Sequence, residues 1–348
     1  STLMAIAIIL LWFSSYVYVP ILSTHSETIG ASLGLVGIIL GSYGFVQMVL
    51  RIPIGILSDR LQNRSAFLIL GFGSALISAL GFYFFPVPLL FLLFRSLSGL
   101  AVSTWAIFIT AYQSLDTTDN ATAIGKVTVF QAAGNLLGMF VGGIVAEAFG
   151  PRSTFMVSTI TSIVGLLLIA VILRSNRHAN SALEVEASEP IKLRDFLSVF
   201  KDKRLLFYST MTSLMHVIVA STLVGFNPTV MGSVGASEFQ IGLGTTLGSI
   251  PSVFGGPLAI GPMRRRFGTN LTVIIGFLLL SVPTILMVFV PNILLLLLLQ
   301  FIAGVGKGIL APLLMAASTS HMPDETRSTA LSAHQAIYSI GMSIGPAL

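Results

Sequence analysis

The sequence has no cysteine and very little charge. Only 9% of its 348 residues are charged, whereas 54% are hydrophobic, and its mean hydropathy is +0.94. Without cysteine there is no disulfide framework, no thiol nucleophile and no thiolate metal site. A soluble domain carries roughly a quarter charged residues. A chain this poor in charge has too little polar surface for water, so its outside must face lipid. There is also no His-rich metal cluster, no nucleotide-binding glycine loop and no nucleophile elbow, which argues against a membrane-embedded enzyme. No metal and no cofactor is expected. Nor does a basic segment precede the first apolar run, so no cleavable signal peptide is recognisable.

What is present is a succession of apolar runs. A span needs about 20 predominantly apolar residues. Breaks at charge, proline and glycine clusters predict helices over 1–22, 33–57, 65–85, 88–113, 122–146 and 152–173. After a polar stretch come 205–231, 239–262, 269–290, 292–317 and 327–348. The expected fold is all-α and transmembrane, with about eleven helices in two bundles, 1–173 and 205–348. Residues 174–204 form the expected cytoplasmic linker. Within it, Pro190 stands near a helix start, and Leu193, Phe196, Leu197 and Phe200 recur at helical spacing. This fits either a short interfacial helix or an ordinary linker helix.

Charge orients the chain. If the odd-numbered loops face outward, Arg152 is their single Lys or Arg. The even-numbered loops and helix margins carry fourteen, including Arg60, Arg64, Lys126, Arg174, Arg264, Arg265 and Arg266. This positive-inside bias places the N-terminus in the cytoplasm of a multi-pass protein of the cell inner membrane. It also accounts for the net charge of +5 through topology and lipid, so no nucleic-acid partner is expected.

The two halves resemble each other. Ala31-Ser32, Gly37, Gly71-Phe72 and Gly99 recur 205 positions on, as Ala236-Ser237, Gly242, Gly276-Phe277 and Gly304. Thr122-Ala123, Gly134 and Gly138 recur 207 positions on, as Thr329-Ala330, Gly341 and Gly345. Pro20 and Pro228 are expected to end helices 1 and 7 in equivalent places. A parallel six-helix repeat with a site between its halves is a transporter architecture. By this repeat helix 11 should continue past Leu348 and a twelfth should follow, and the sequence as given reads as trimmed at both ends.

Residues 55–64, Gly-Ile-Leu-Ser-Asp-Arg-Leu-Gln-Asn-Arg, resemble the loop 2–3 signature of the major facilitator superfamily, Gly-x-Leu-x-Asp-Arg-x-Gly-Arg. Gly55, Leu57, Asp59 and Arg60 match, with Arg64 at a spacing one residue longer than usual. Arg95 and Gly99 resemble the Arg-x-x-x-Gly of helix 4, and Gly150, Arg152 and Phe155 the turn between helices 5 and 6. The resemblance covers the whole chain. It implies a secondary transporter of bacterial type, built of two pseudo-symmetric bundles and working by alternating access. It also implies that Gly55, Asp59, Arg60 and Arg64 latch the cytoplasmic side against helix 11, near Asp324 to Arg327. Helix 5 departs from the family's antiporter branch, because Met139 stands where Gly-Pro-x-x-Gly-Gly has its proline. The segment 256–268 keeps glycine and three arginines but no acid, so a symmetric latch there is not supported.

Ionisable groups deep in spans mark functional sites. All thirteen acids fall in loops or near helix ends, with Glu27 and Glu147 the deepest. The deep groups are Arg95, Lys307, His216 and His334. Arg51 is expected to snorkel to the cytoplasmic edge. Helical spacing puts Trp12 and Tyr16 on one face of helix 1, Gln131 and Asn135 on one of helix 5, and His216 and Asn227 on one of helix 7. Gln300, Gly304 and Lys307 share a face of helix 10, and His334, Tyr338, Gly341 and Gly345 one of helix 11. Because the family's helices 1, 4, 7 and 10 line its cavity, the resemblance makes Trp12, Tyr16, Arg95, Asn227, Gln300 and Lys307 cavity candidates, to which Gln131 and Asn135 beside the glycine face of helix 5 are added. Each also has a packing alternative.

Buried cations without a buried acid favour an anionic or zwitterionic small-molecule substrate. A coupling proton would have to use His216, His334 or Glu147. A proton-coupled multidrug efflux transporter and a non-transporting membrane sensor on the same fold stay open. The expected partners are the substrate, the lipid bilayer and a proton or other coupling ion, with the chain acting as a monomer.

Overall fold

The computed structural model describes residues 2–61, 63–116, 120–175, 200–322 and 324–348, and they are helical nearly throughout. Residues 176–199, where the interfacial helix is predicted, lie outside the described residues. Nine stretches are long and apolar enough to cross a membrane among those described. We number the spans α1 (Thr2–Thr28), α2 (Leu33–Leu61), α3 (Arg64–Phe84), α4 (Pro88–Asp116), α5 (Asn120–Phe149), α6 (Ser153–Ser175) and α7 (Lys203–Ser233). Then follow α9 (Arg264–Met287), α10 (Ile293–Thr319) and two less apolar spans. These are α8, made of Glu238–Leu247 and Pro251–Leu258, and α11 (Asp324–Ile344).

Local chemistry sets the boundaries. Asn63, Asp202 and Asn292 each cap a helix by accepting a backbone N–H, as Ser237 does in a capping box with Gln240. The turns after α1 and α7 pass through Gly30 and Gly235, both at positive φ, a conformation costly for a residue with a side chain. Pro20 and Pro228 do not end α1 and α7. Each sits in the first turn of a continuing segment, Val19–Thr28 and Asn227–Ser233. A proline at that position gives up an N–H the preceding segment had no need to bond. In α7 the break is prepared by a π-helical stretch, Val219–Phe226.

The repeat is visible in the packing. A side chain at Gly134 or Gly138 would strike the α1 carbonyls of Ile9 and Phe13, and one at Gly341 or Gly345 the α7 carbonyls of Ser213 and Val217. Likewise Gly99 lies against the Tyr43 carbonyl, and its repeat partner Gly304 against that of Gly248. Small residues thus bring backbones close where no hydrophobic effect operates between helices in lipid.

Each half carries its own buried core. The first includes a ring cluster of Tyr18, Phe82, Phe91 and Phe155, with Phe82 and Phe155 stacked at 5.1 Å. Bulky apolar side chains such as Leu89, Phe149, Leu167, Ile285 and Leu294 point outward, as a lipid-facing surface requires.

The halves meet along α2–α11 and α5–α8. At the end where α1 finishes and α2 begins, both contacts are close. Gly37 lies on the Pro346 carbonyl, and Gly143 on Gly242. The other end is rich in arginine. The α5–α8 contact follows Glu238–Leu247, whereas Pro251–Leu258 packs on α10. An added side chain at Gly55, Gly125 or Gly261 would meet nothing within 4 Å. Among the described residues, the halves are in close contact at one end, and α5 packs on Glu238–Leu247 rather than on Pro251–Leu258 toward the basic end.

Candidate functional site

Tyr43, Gln47 and Arg51 recur every four residues, so α2 carries them on one face. Arg95 of α4 is 5% exposed and lies over the Tyr43 ring at 4.2 Å and near Tyr18 at 5.8 Å. Its Nη1 reaches the Ser98 hydroxyl at 3.5 Å, and its Nε is buried without a partner. Tyr16 of α1 stands 3.5 Å from Tyr43, hydroxyl to hydroxyl, and 6.0 Å from buried Trp12, ring to ring. Gln131 and Asn135 of α5 are half-buried, and the Asn135 Oδ1 has no hydrogen-bond partner.

From the second half, the His216 ring of α7 stacks on Tyr338 of α11 at 4.5 Å and 12°. The His216 Nδ1 lies 2.9 Å from the Thr212 carbonyl. A carbonyl only accepts, so Nδ1 carries the hydrogen and a neutral ring presents Nε2 as acceptor. His334 is buried, with Nδ1 2.9 Å from Ser209 and 3.0 Å from Ser318. It ties α7, α10 and α11 together. Lys307 of α10 is half-buried and forms no hydrogen bond among the described residues. Gly306 and Gly308 beside it take the close approach of α9 and α8. Asn227 donates to Gln300 at 2.7 Å, and Gln300 to the Leu223 carbonyl at 3.0 Å. That pair is buried within the second half, in the repeat position of Arg95.

Arg51 joins the two sides. It does not reach for the basic edge, as a snorkelling arginine would. Its Nη1 donates across the interface to Gln335 at 3.2 Å and Tyr338 at 3.1 Å, and its Nη2 to Gln47 at 2.6 Å. Polar acceptors inside the bundle outweigh the distant interface. Arg51 thus touches Tyr338, on which the His216 ring is stacked. Arg51, His216 and Tyr338 are all half-buried, which places a cationic, aromatic-lined patch between the halves; Tyr16 and Lys307 are half-buried as well.

Carboxylates are kept at the ends. Where the halves are in close contact, Glu27 accepts from the Thr229 hydroxyl at 2.7 Å and exposed Glu147 from the Phe239 N–H at 3.2 Å, each bridging the halves. Among the described residues the ion pairs are Lys126–Asp116 at 2.6 Å and His321–Asp202 at 3.0 Å, both at the basic end. Burial pushes the Asp202 carboxyl up, but the Leu205 N–H and His321 outweigh it and hold it below the usual range. Neither Arg51, Arg95 nor Lys307 has an acid partner among the described residues.

Of the loop motif, Gly55 faces open space and Arg60 is exposed. Arg64 is engaged with a neighbour. The side chains of Asp59 and of Asp324 to Arg327 lie outside the described residues. Sequence reasoning missed Tyr43, Gln47, Gln335 and the bridging role of Arg51. The four-residue spacing from Tyr43 to Arg51 was the available signal.

A family model described as Major Facilitator Superfamily matches residues 4–224 and 209–348. An uncharacterized MFS-type transporter of Methanocaldococcus jannaschii is 22% identical over 346 residues, covering 94% of this chain and 84% of that protein. The multidrug resistance protein MdtG of Salmonella agona is 24% identical over 228 residues, and the match covers 64% of this chain and only 55% of that protein. The crystal structure of the nucleoside transporter NupG superposes with a TM-score of 0.78 at 14% identity, over 100% of this chain and 90% of that one. A bacterial homolog to the human lysosomal transporter Spinster, crystallised inward-facing and unoccupied, gives 0.76 at 14% identity, over 99% and 80%.

Proposed function

We propose that this chain, which belongs to the major facilitator superfamily, carries a small organic anion or zwitterion across the membrane as a secondary transporter working by alternating access. That it is a multi-pass membrane transporter and not an enzyme follows from the family. The finer reading is carried by one observation. Three cations, Arg51, Arg95 and Lys307, lie in the bundle interior with no carboxylate beside them among the described residues. Charges taken out of water are costly unless compensated, and a substrate of opposite sign supplies that compensation. Alternating access is supported by the two-bundle repeat and by the close glycine contacts between the halves at one end.

The excess of Lys and Arg at the basic end supports a cytoplasmic N-terminus in the cell membrane, and the packing of α5 on Glu238–Leu247 rather than on Pro251–Leu258 supports an inward-open state. Within that frame the motif from Gly55 to Arg64 would latch the basic end when it closes. A coupling proton, where one is used, has His216, His334 and Glu147 available. His216 is the best placed, since its ring lines the patch and His334 is held by two serines. The likeness to MdtG favours a second reading, efflux of drugs. A cationic drug has no acid here to pair with among the described residues, so an anionic or neutral cargo would suit that reading better.

The test is counterflow in proteoliposomes with matched benzoate, benzamide and benzylammonium. Benzoate is expected to exchange and benzylammonium to be excluded. Exchange of benzylammonium alone overturns the proposal.

A further inference from the structure

Arg51 has a fork of donors and no anion to receive them. Its bonds go to three neutral oxygens, those of Gln47, Gln335 and Tyr338, and its Nε is buried without a partner. A carboxylate would fit the guanidinium better, because it accepts two parallel N–H···O bonds in the fork's own geometry and neutralises the charge. Two of the three oxygens belong to the opposite half. There Tyr338 carries the stacked ring of His216. Arg51 of α2 thus reaches a His–Tyr pair of the opposite half, while Gln335, its other acceptor there, is buried.

We propose that Arg51 is the residue through which the substrate's acid group is sensed, and that the oxygens of Gln335 and Tyr338 stand in for that group in the empty transporter. When the anion binds, its oxygens take Arg51 from Gln335, and its charge is shared with Lys307. A direct link between α2 and α11 is exchanged for one that runs through the substrate. Occupancy thereby loosens a fixed contact between the halves, so that movement of the halves depends on the substrate being present. This inference rests on the reading that the cargo is anionic.

Gln335→Glu separates it from a merely structural role. That side chain has nearly the shape of glutamine but gives Arg51 an internal carboxylate, which competes with any anion. The readout is the rise in melting temperature of the full-length protein in detergent on titration with benzoate, succinate or inorganic phosphate, with benzylammonium as control. Affinity for the responding anion is expected to fall roughly ten- to hundred-fold in Gln335→Glu and in Arg51→Gln. Gln335→Ala, which removes the competing oxygen and keeps Arg51, should bind as tightly as the parent or more so. If the parent responds to an anion and both Gln335→Glu and Arg51→Gln respond equally well, the inference is wrong and the anion reading stands. If the parent answers only to benzylammonium, or to none of the anions, the anion reading fails and takes this inference with it.

Discussion

Arg95 and Lys307 hold unlike positions, although each is a cation within the bundle. Arg95 is compensated by the faces of Tyr43 and Tyr18, a contact worth up to about 2 kcal/mol when desolvated. Lys307 lacks even that. Lys307→Ala is therefore expected to lower anion counterflow at least tenfold while leaving the melting temperature unchanged or raised, since a buried uncompensated charge is removed. Arg95→Ala should lower both, because the ring cage collapses with it. Equal anion transport by the parent and both variants would contradict these roles. Asp202 behaves differently again. Its carboxyl is held low by the Leu205 N–H and His321 despite burial, so its stabilisation is present above the ordinary carboxylate range and is lost as pH falls through its lowered value. Asp202→Ala should cost roughly 0.5–2 kcal/mol at neutral pH, as helix caps do. The gap in melting temperature between parent and variant should shrink in acid, and a gap constant from neutrality into acid would count against the capping role. Lys307, Arg95, His216 and His334 were legible in the sequence because ionisable groups stand out in apolar runs. Arg51 was not, because its acceptor Gln335 is 284 residues away and snorkelling is the default for an arginine near a span's end.

Among the elements, the helices and their repeat were the most legible. Glycines 205 or 207 residues apart proved to pack on equivalent backbones, Gly99 on Tyr43 and Gly304 on Gly248. The breaks inside helices were harder to see. The π-helical turn before Pro228 and the interruption of α8 at 248–250 come from bundle packing, which periodicity does not carry. Near its start α9 is broken by a kink at Gly268, at φ 74°, within a stretch whose three arginines blur the boundary. Gly55 shows how a glycine can matter in a state not seen. A side chain there meets nothing within 4 Å, and in the proposed latch this glycine is where the basic end would close. Gly55→Leu should therefore fold normally, obstruct closure of the basic end and slow transport at least tenfold. Cysteines introduced on the facing surfaces of α5 and α8 would then remain reactive to a cytoplasmic reagent, with no background because the chain has no cysteine. Unchanged transport by Gly55→Leu would show that α2 and α11 do not close on this glycine.

Among the described residues, charge is segregated along the molecule: carboxylates at the two ends, and in the middle cations with no acid partner. Glu27 and Glu147 bridge the halves at one end through neutral donors, while Arg51, Lys307 and His216 lie half-buried inside the bundle. The sequence foretold this segregation, since none of its thirteen acids lies deep in a span. It could not foretell at which end the halves come into close contact, because that depends on a balance between two bundle arrangements separated by only a few kcal/mol. If interior cations choose the cargo, reversing the sign of one of them must reverse the preference. Counterflow of benzoate and benzylammonium by the parent and by Lys307→Glu should show benzoate exchange in the parent. In the variant that exchange should be lost and benzylammonium exchange gained. A parent that moves benzylammonium, or a Lys307→Glu variant that still exchanges benzoate at the parent's rate, would contradict it.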